Sequence, residues 1–184
     1  MKGKIRIIAG QWGGRKIQVP NKSGLRPTPA RIRETLFNWL ALSVPGSRCL
    51  DLFAGSGALG IEAASRGAKQ VVLVEQDAHL VQHLKQQVSS FASNDLEIIC
   101  TDACRFLKKG PFSTFDLVFL DPPFGHNLLN PCCTLLEQGN WLKSNTHIYL
   151  ETEKKLGEPN LPATWQIIRH QKAGQVSAFL VVKQ

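Results

Sequence analysis

The chain has 184 residues, of which 43% are hydrophobic and 20% charged, so we expect a globular domain with a sizeable core. It contains no run of about 18 apolar residues, and its basic start is not followed by an apolar segment, so neither a membrane span nor a secretory signal is expected. The five cysteines form no Cys-x-x-Cys pair, which argues against a disulfide framework and a metal site and favours a reducing, cytoplasmic location.

The formal net charge of +8 lies entirely in about the first fifth of the chain. Residues 1–36 contain nine lysines and arginines and one acid, Glu34, whereas the rest of the chain is balanced. Such segregation predicts a region that binds the phosphates of a nucleic acid, with a merely solvated face as the alternative. The predicted RNA-binding residues are Arg6, Arg15, Lys16, Arg26, Arg31 and Arg33.

The N-terminal segment predicts a β-hairpin, because strand-like runs at 5–9 and 16–19 flank a glycine-rich turn. The polar stretch 21–26 is typical of a loop between two units. We therefore expect a basic hairpin extension, residues 1–25, and a main domain, residues 26–184.

A helix is predicted next, over residues 29–43, where apolar side chains recur at helical spacing. Thr28 and Pro29 are typical of an N-cap and of the first helical position. We expect the basic face of this helix to carry Arg31 and Arg33.

Beyond residue 46, apolar runs alternate with helical segments, the pattern of a parallel sheet covered by helices on both faces. The predicted strands are 49–53, 71–75, 96–100, 115–120 and 147–150, and the predicted helices are 58–66, 78–91, 103–108 and 128–138. The runs 165–170 and 176–182 are joined by a turn too short for a helix, which predicts an antiparallel hairpin at the sheet edge. The expected fold is α/β and Rossmann-like, with a mostly parallel seven-stranded sheet, an antiparallel C-terminal hairpin and a small N-terminal β-hairpin.

A glycine motif between a predicted strand and a predicted helix indicates a nucleotide-type cofactor. The segment Gly55-Ser56-Gly57-Ala58-Leu59-Gly60 fits G-x-G-x-x-G, and Glu75 ends the next strand, where a carboxylate can bind ribose hydroxyls. Dinucleotides and S-adenosylmethionine both suit this geometry. Asp51 favours S-adenosylmethionine, because a carboxylate there can face the cationic methionine end but would repel a pyrophosphate.

Asp102 follows the third strand of this series and can accept a hydrogen bond from the adenine amino group, with Ala103 against the ring. An N-cap role for Asp102 on the following helix is the structural alternative, and the two roles are compatible. The cofactor-binding residues predicted from the motifs are Asp51, Phe53, Ala54, Gly55, Gly57, Glu75, Gln76, Asp102 and Ala103.

The segment Asp121-Pro122-Pro123-Phe124 follows an apolar strand and is predicted to be catalytic. Its prolines stiffen the loop and remove backbone donors, which leaves carbonyl groups and the Asp121 carboxylate as acceptors. Two acceptors on an exocyclic amine can draw its nitrogen toward tetrahedral geometry and stabilise the charge that develops in methyl transfer. The Phe124 ring can stack on a base, whereas the plainer alternative is a turn in which it covers the sheet edge.

These motifs resemble those of amino-methyltransferases that act on nucleic-acid bases. With the N-terminal hairpin, Leu25-Arg26-Pro27-Thr28 and the turn Ala173-Gly174-Gln175-Val176, the chain is similar over essentially its full length to the bacterial 16S ribosomal RNA guanine-N2 methyltransferase family, the RsmD type. The resemblance implies a class I S-adenosylmethionine-dependent methyltransferase that modifies the N2 amine of one guanine in 16S rRNA, within a small-subunit particle or an assembly intermediate. It also implies that Arg26 and Thr28 close over the methionine end of the cofactor.

Three other functions are weighed against this one. A DNA or RNA amino-methyltransferase acting on adenine N6 or cytosine N4 shares the catalytic motif, but the DNA enzymes usually carry an extra target-recognition domain. An NAD-dependent oxidoreductase would place a pyrophosphate near Asp51 and leave the segment 121–124 without a role. A non-catalytic RNA-binding assembly factor would have no need of an intact cofactor loop.

Overall fold

The computed structural model describes residues 3–20, 22 and 28–184. Strands β1 (Gly3–Arg6) and β2 (Lys16–Val19) pair as an antiparallel hairpin. The main sheet contains β3 (Arg48–Asp51), β4 (Gln70–Glu75), β5 (Leu96–Cys100), β6 (Phe115–Leu120), β7 (Leu142–Glu153), β8 (Trp165–Ala173) and β9 (Val176–Lys183). The helices are α1 (Ala30–Trp39), α2 (Ala58–Ser65), α3 (Ala78–Ser89), α4 (Ala103–Lys108) and α5 (Leu129–Gln138).

The seven-stranded sheet has the order β5-β4-β3-β6-β7-β9-β8. The first five strands are parallel, and β9 pairs antiparallel with both β7 and β8. The predicted α/β fold and its antiparallel C-terminal hairpin are therefore confirmed. The chain runs outward from β3 in one direction and returns to its other side with β6, and ligands of open α/β sheets bind at the carboxyl ends of strands at such a switch point.

Helices cover both faces of the sheet, as the alternating pattern predicts. The apolar side chains of α1, α2 and α3 share one buried cluster with the N-terminal hairpin, and those of α4 and α5 form a second cluster on the opposite face. All eight residues of α2 are buried. Within the residues that the structure describes, none of the helices has the length and apolar character needed to cross a bilayer.

The hairpin packs firmly on the main domain. Its Ile7 and Ile17 are buried in the cluster shared with the first three helices. The Glu62 carboxylate of α2 accepts hydrogen bonds from the backbone N–H groups of Ile8, at 2.7 Å, and Ala9, at 3.0 Å. These bonds explain why β1 ends at Arg6, so the prediction that the strand reaches residue 9 was wrong. The division at residue 25 stays a prediction, but the two parts share a core.

The predicted helix 29–43 is wrong at both ends, since α1 covers only Ala30–Trp39. Pro29 occupies the cap position, and the cap makes no side-chain hydrogen bond. The Thr28 hydroxyl instead lies 3.3 Å from Oδ2 of Asp121, so a tertiary contact replaces the predicted cap. The chain after Trp39 continues as turns that lead to β3.

The predicted exposed basic face of α1 is wrong for Arg33, which is only 2% exposed. Its guanidinium donates two hydrogen bonds of 3.2 Å to the backbone carbonyl of Arg6 and lies 3.8 Å from the Glu62 carboxylate. Both members of this buried ion pair also hydrogen bond to the hairpin backbone, so the pair helps to hold the hairpin on the main domain. Arg33 is therefore unavailable to RNA, whereas Arg31 is exposed.

Candidate active site

An acidic side chain stands at or near the carboxyl end of each of five neighbouring parallel strands. In the order of the sheet, β5, β4, β3, β6 and β7, these side chains belong to Asp102, Glu75, Asp51, Asp121 and Glu151. Asp51 and Glu151 are buried, with exposed fractions of 2% and 3%, whereas the other three keep part of their surface open. We call this set the carboxyl row. It lines the edge where open α/β sheets bind ligands.

The glycine loop turns sharply between β3 and α2. Gly55 and Gly57 have positive φ angles of 52° and 79°, which L side chains rarely adopt. A Cβ on Gly57 would also lie 2.8 Å from side-chain carbons of Ile61 and Leu84. The N–H of Gly60 donates to Oδ2 of Asp51 at 3.1 Å, so the loop and this carboxyl are fixed to each other.

The loop after β3 is joined to the end of β4 by hydrogen bonds from main-chain N–H groups. Glu75 accepts the N–H of Gly55 on one carboxylate oxygen, at 3.0 Å, and that of Asp77 on the other, at 2.8 Å. Ala54 donates its N–H to the carbonyl of Val74 at 3.0 Å. Each Glu75 oxygen retains a second lone-pair site, so this fixed carboxylate can still bind a pair of hydroxyls.

At the far end of the row, Asp102 caps α4 by accepting the N–H of Arg105 at 2.8 Å. The structural alternative weighed for Asp102 is therefore present. The cap uses one carboxylate oxygen, which leaves the other to accept a hydrogen bond. Ala103 is buried beside it, and Gln76 and Phe53, two further predicted contacts, are exposed and partly exposed, respectively.

The other end of the row concentrates negative charge. Burial raises the pKa of Asp51 to about 7, against the opposing effect of its backbone hydrogen bonds. Burial also raises the pKa of Asp121 well above its usual range, and the charges of Glu151 and Asp51 add to this effect. Burial raises the pKa of Glu151, while hydrogen bonds from Tyr149 and Thr28 oppose that shift. Raised pKa values in three neighbouring carboxyls indicate a shortage of positive charge at this end of the row.

This shortage provides a test of whether the residues fit the expected cofactor. Among the described residues, neither lysine nor arginine forms an ion pair with Asp51, Asp121 or Glu151. A ligand with a positive charge would stabilise their ionised forms. S-adenosylmethionine carries a sulfonium and an ammonium group, so the charge of the site fits it, whereas a pyrophosphate would be repelled.

The predicted catalytic loop follows β6. Asp121 is partly exposed, Pro122 is buried, and Pro123 and Phe124 are exposed, the Phe124 side chain to 39%. The loop therefore presents a carboxylate and an aromatic ring at the sheet edge. Gly125, with a φ of 79°, turns the chain away immediately after the ring.

The basic residues form a separate surface. Arg6, Arg15, Lys16 and Arg31 are exposed, and Arg26 lies outside the described residues. The Arg15 guanidinium lies 4.4 Å from the centre of the Phe91 ring and donates to the carbonyl of Ser90 at 2.8 Å. A groove of about 570 Å³ runs here between the hairpin and the second half of α3, and none of the carboxyl row lines it.

The class I methyltransferases have a sheet of this strand order. Their glycine loop lies before α2, and carboxyl groups that can bind a cation lie beside it. The chain has the fold of that class, and the charge of its site fits S-adenosylmethionine as the methyl donor. The family model described as "Conserved hypothetical protein 95" matches residues 5–182, and the chain belongs to this family.

Relatives in this family align with nearly the whole chain. Ribosomal RNA small subunit methyltransferase D of Escherichia coli strain K12 is 46% identical over 183 residues, which cover 99% of this chain and 91% of that protein. The protein of the same name from Haemophilus influenzae is 47% identical over 180 residues, covering 96% and 92% of the two chains. The solved structure of yhhF from Escherichia coli has a TM-score of 0.91 at 42% identity and covers 99% of each chain.

The comparisons confirm the resemblance at the level of the family, whereas the roles of individual site residues stay predictions. Two members of the site were missed: Glu151 and Tyr149, whose hydroxyl donates to Glu151 at 2.6 Å. An acid directly after an apolar strand was the pattern that identified Asp121. The same pattern occurs at His147-Ile148-Tyr149-Leu150-Glu151 and could have identified Glu151.

Proposed function

We propose that the chain transfers a methyl group from S-adenosylmethionine to the exocyclic N2 amine of one guanine in 16S ribosomal RNA. The observation that carries this proposal is the partly exposed Asp121 carboxyl, held by Thr28 at the switch point and followed by a stiff loop with an exposed ring. The relatives named ribosomal RNA small subunit methyltransferase D support the RNA class. The reaction would take place in the cytoplasm, on a small-subunit particle or an assembly intermediate.

The carboxyl row supplies the predicted cofactor contacts in the order of the strands. Asp102 and Ala103 hold the adenine, and Glu75, assisted by Gln76, holds the ribose hydroxyls. Asp51 and the glycine loop, with Phe53 and Ala54, hold the methionine end, where Arg26 and Thr28 complete the pocket. When bound, S-adenosylmethionine supplies an activated methyl group.

The chain's own catalytic contribution lies at Asp121 and Pro122. The guanine amine is a poor nucleophile because its lone pair is delocalised into the ring. The Asp121 carboxylate and a carbonyl of the proline pair accept its two hydrogens and free the lone pair toward the methyl carbon. As the amine acquires the methyl group, its nitrogen would gain positive charge, which Asp121 would stabilise until the nitrogen loses a proton to water. Phe124 stacks on the base.

RNA binding is assigned to the exposed cations of the N-terminal region, Arg6, Arg15, Lys16 and Arg31, together with Arg26. These residues contact phosphates and orient the substrate without reading its sequence. Arg33 has no part in this surface because it is buried.

Transfer of tritiated methyl groups would test the proposed function. Naked 16S rRNA, small-subunit particles, large-subunit rRNA and DNA are offered in parallel, and the product is digested to nucleosides for mass spectrometry. We expect N2-methylguanosine from small-subunit substrates. Methyladenine, methylcytosine or label only in DNA would contradict the proposal.

A further inference from the structure

We propose that Glu151 is a positioning residue for the methyl transfer, which shares one proton with Asp121 through the Thr28 hydroxyl. Glu151 lies at the end of the carboxyl row farthest from Asp102, beyond Asp121, where no cofactor contact is assigned. The inference rests on the proposed function, because it gives Glu151 the task of orienting the carboxylate that binds the amine.

Strand register brings the two carboxyls together. Leu120 of β6 pairs with Leu150 of β7, so the residues that follow them, Asp121 and Glu151, lie side by side. On its other side Glu151 pairs with Ala178 of β9, which offers no charge. Glu151 is only 3% exposed, so it cannot itself contact a base, whereas the partly exposed Asp121 can.

Tyr149 fixes the far side of Glu151. Its hydroxyl donates to Oε1 at 2.6 Å, and its ring is fully buried, with an edge-on contact to Phe119 at 6.4 Å between centroids. A tyrosine held by packing gives the carboxyl one orientation. The second oxygen of Glu151 is therefore the one available to Thr28.

Thr28 stands between the two carboxyls and has one proton to donate. Its hydroxyl donates to Oδ2 of Asp121 at 3.3 Å, and it lies close enough to Glu151 to oppose the rise in the pKa of that carboxyl. A hydroxyl can donate to only one of two acceptors at a time. If both carboxyls were ionised, only one of the two oxygens that face Thr28 could accept its proton, and the other would face the hydroxyl unpaired in a site that has no paired lysine or arginine among the described residues.

One shared proton completes the chain of hydrogen bonds. With the proton on Glu151, Tyr149 donates to Glu151, Glu151 donates to Thr28, and Thr28 donates to Oδ2 of Asp121. The other Asp121 oxygen is then free and negatively charged, as binding of an amine hydrogen requires. The proton can move from Asp121 to Glu151 by way of Thr28 when a cation lies beside Asp121, with no net gain or loss.

The charged groups around Asp121 and Glu151 favour transfer of the proton from Asp121 to Glu151. Asp51 on β3 is the third carboxyl at this end of the row, and its charge and that of Glu151 both raise the pKa of Asp121. Tyr149 on β7 stays protonated because burial raises its pKa further. A cation bound near Asp51 favours ionisation of Asp121 more than that of Glu151, because Asp121 stands between them in the row.

Four variants separate positioning from simple structural support. Glu151→Ala and Thr28→Val each break the chain of hydrogen bonds, so we expect kcat to fall about tenfold at saturating substrates. The amide of Glu151→Gln and the hydroxyl of Thr28→Ser can still donate along the chain, so each should recover most of that loss. The double variant Glu151→Ala/Thr28→Val should be no slower than either single one, since both remove the same device.

A readout without RNA tests the shared proton. In carboxyl-labelled, cofactor-free protein followed by ¹³C NMR, Asp121 and Glu151 should titrate as a coupled pair in two steps. In Glu151→Gln, Asp121 should titrate in one step. Independent single-step titrations in the wild type would overturn the proposal, even if Glu151→Ala failed to fold.

The activity measurements provide a second test of the positioning role of Glu151. Equal kcat values for Thr28→Val and Thr28→Ser, or for Glu151→Ala and Glu151→Gln, would also overturn the positioning role. If the wild type methylated no ribosomal RNA, the proposed function would fail, while the titration would still decide whether the proton is shared.

Discussion

The carboxyl row and the N-terminal hairpin carry opposite charges and are positioned in different ways. The acids follow strands, so the register of the sheet fixes their positions, and two of them are buried. The hairpin cations are exposed because the apolar residues between them, such as Ile5 and Ile17, are packed against the core. The register of the sheet thus fixes the positions of the acidic side chains, whereas the face by which the hairpin packs on the core determines which cations are exposed. Charge alone does not reveal which cations bind a ligand.

Arg33 offers the strongest test of this distinction, because it belongs to the basic segment but is buried like the acids. Arg33→Ala removes two hydrogen bonds to the Arg6 carbonyl and one cation, while Glu62 keeps its ion pair with Arg66 at 2.7 Å, so we expect a loss of about 3 kcal/mol in the free energy of unfolding. Denaturant titration would measure it. Arg31→Ala on the same helix is the matched control and should leave stability within about 0.5 kcal/mol. Equal stability of the two variants would mean that the ion pair contributes nothing.

On the acidic side, Asp121→Ala should lower single-turnover methylation by roughly 10²–10³, the range for loss of one transition-state hydrogen-bonding group. Affinity for S-adenosylmethionine, measured by calorimetry, should change little. Asp121→Asn keeps an acceptor oxygen and should be less impaired. Near-normal turnover in Asp121→Ala would place the acceptor of the amine elsewhere.

The pH dependence of cofactor binding probes Asp51, whose pKa burial raises to about 7. Because a cation binds better to the ionised carboxylate, affinity should fall as the pH falls below 7, by up to about tenfold per pH unit. Calorimetry in buffers of different ionisation enthalpy would also detect proton release on binding. Asp51→Asn should flatten the profile. Constant affinity between pH 6 and pH 8 in the wild type would contradict the assignment.

The smallest effects are expected on the basic surface. The hairpin shares its core with the main domain, so substitution is a cleaner test than deletion. Lys16→Gln with Arg31→Gln should reduce the salt dependence of RNA binding by about 0.7–0.9 in slope for each phosphate that is no longer neutralised. Lys109→Gln, an exposed substitution after α4 on the other face of the sheet, is the control. An unchanged slope in the double variant would identify Lys16 and Arg31 as parts of a solvated face.

Much of the site follows from local sequence patterns, because an apolar run that ends in an acid specifies both the strand and the position of the carboxylate. Glu75, Asp102 and Asp121 were predicted in this way, whereas Asp51 was predicted from its position four residues before Gly55. Glu151 follows the apolar run 147–150 in the same way, and it was missed because no loop motif comparable to Asp121-Pro122-Pro123-Phe124 follows it.

Contacts between distant segments could not be predicted from periodicity. Thr28 has the sequence features of a helix cap, yet it hydrogen bonds to Asp121, 93 residues away. Arg33 is buried because the hairpin folds over α2, where the buried carboxylate of Glu62 contacts both Arg33 and the hairpin backbone. Local patterns contain no information about which elements meet.

A crystal structure with S-adenosylhomocysteine would test the central claim most directly, since it locates each group of the cofactor. The account predicts the adenine at Asp102, the ribose hydroxyls on Glu75, the homocysteine amine near Asp51 and the sulfur facing Asp121. A ligand bound outside the carboxyl row, or one whose sulfur faces away from Asp121, would contradict it.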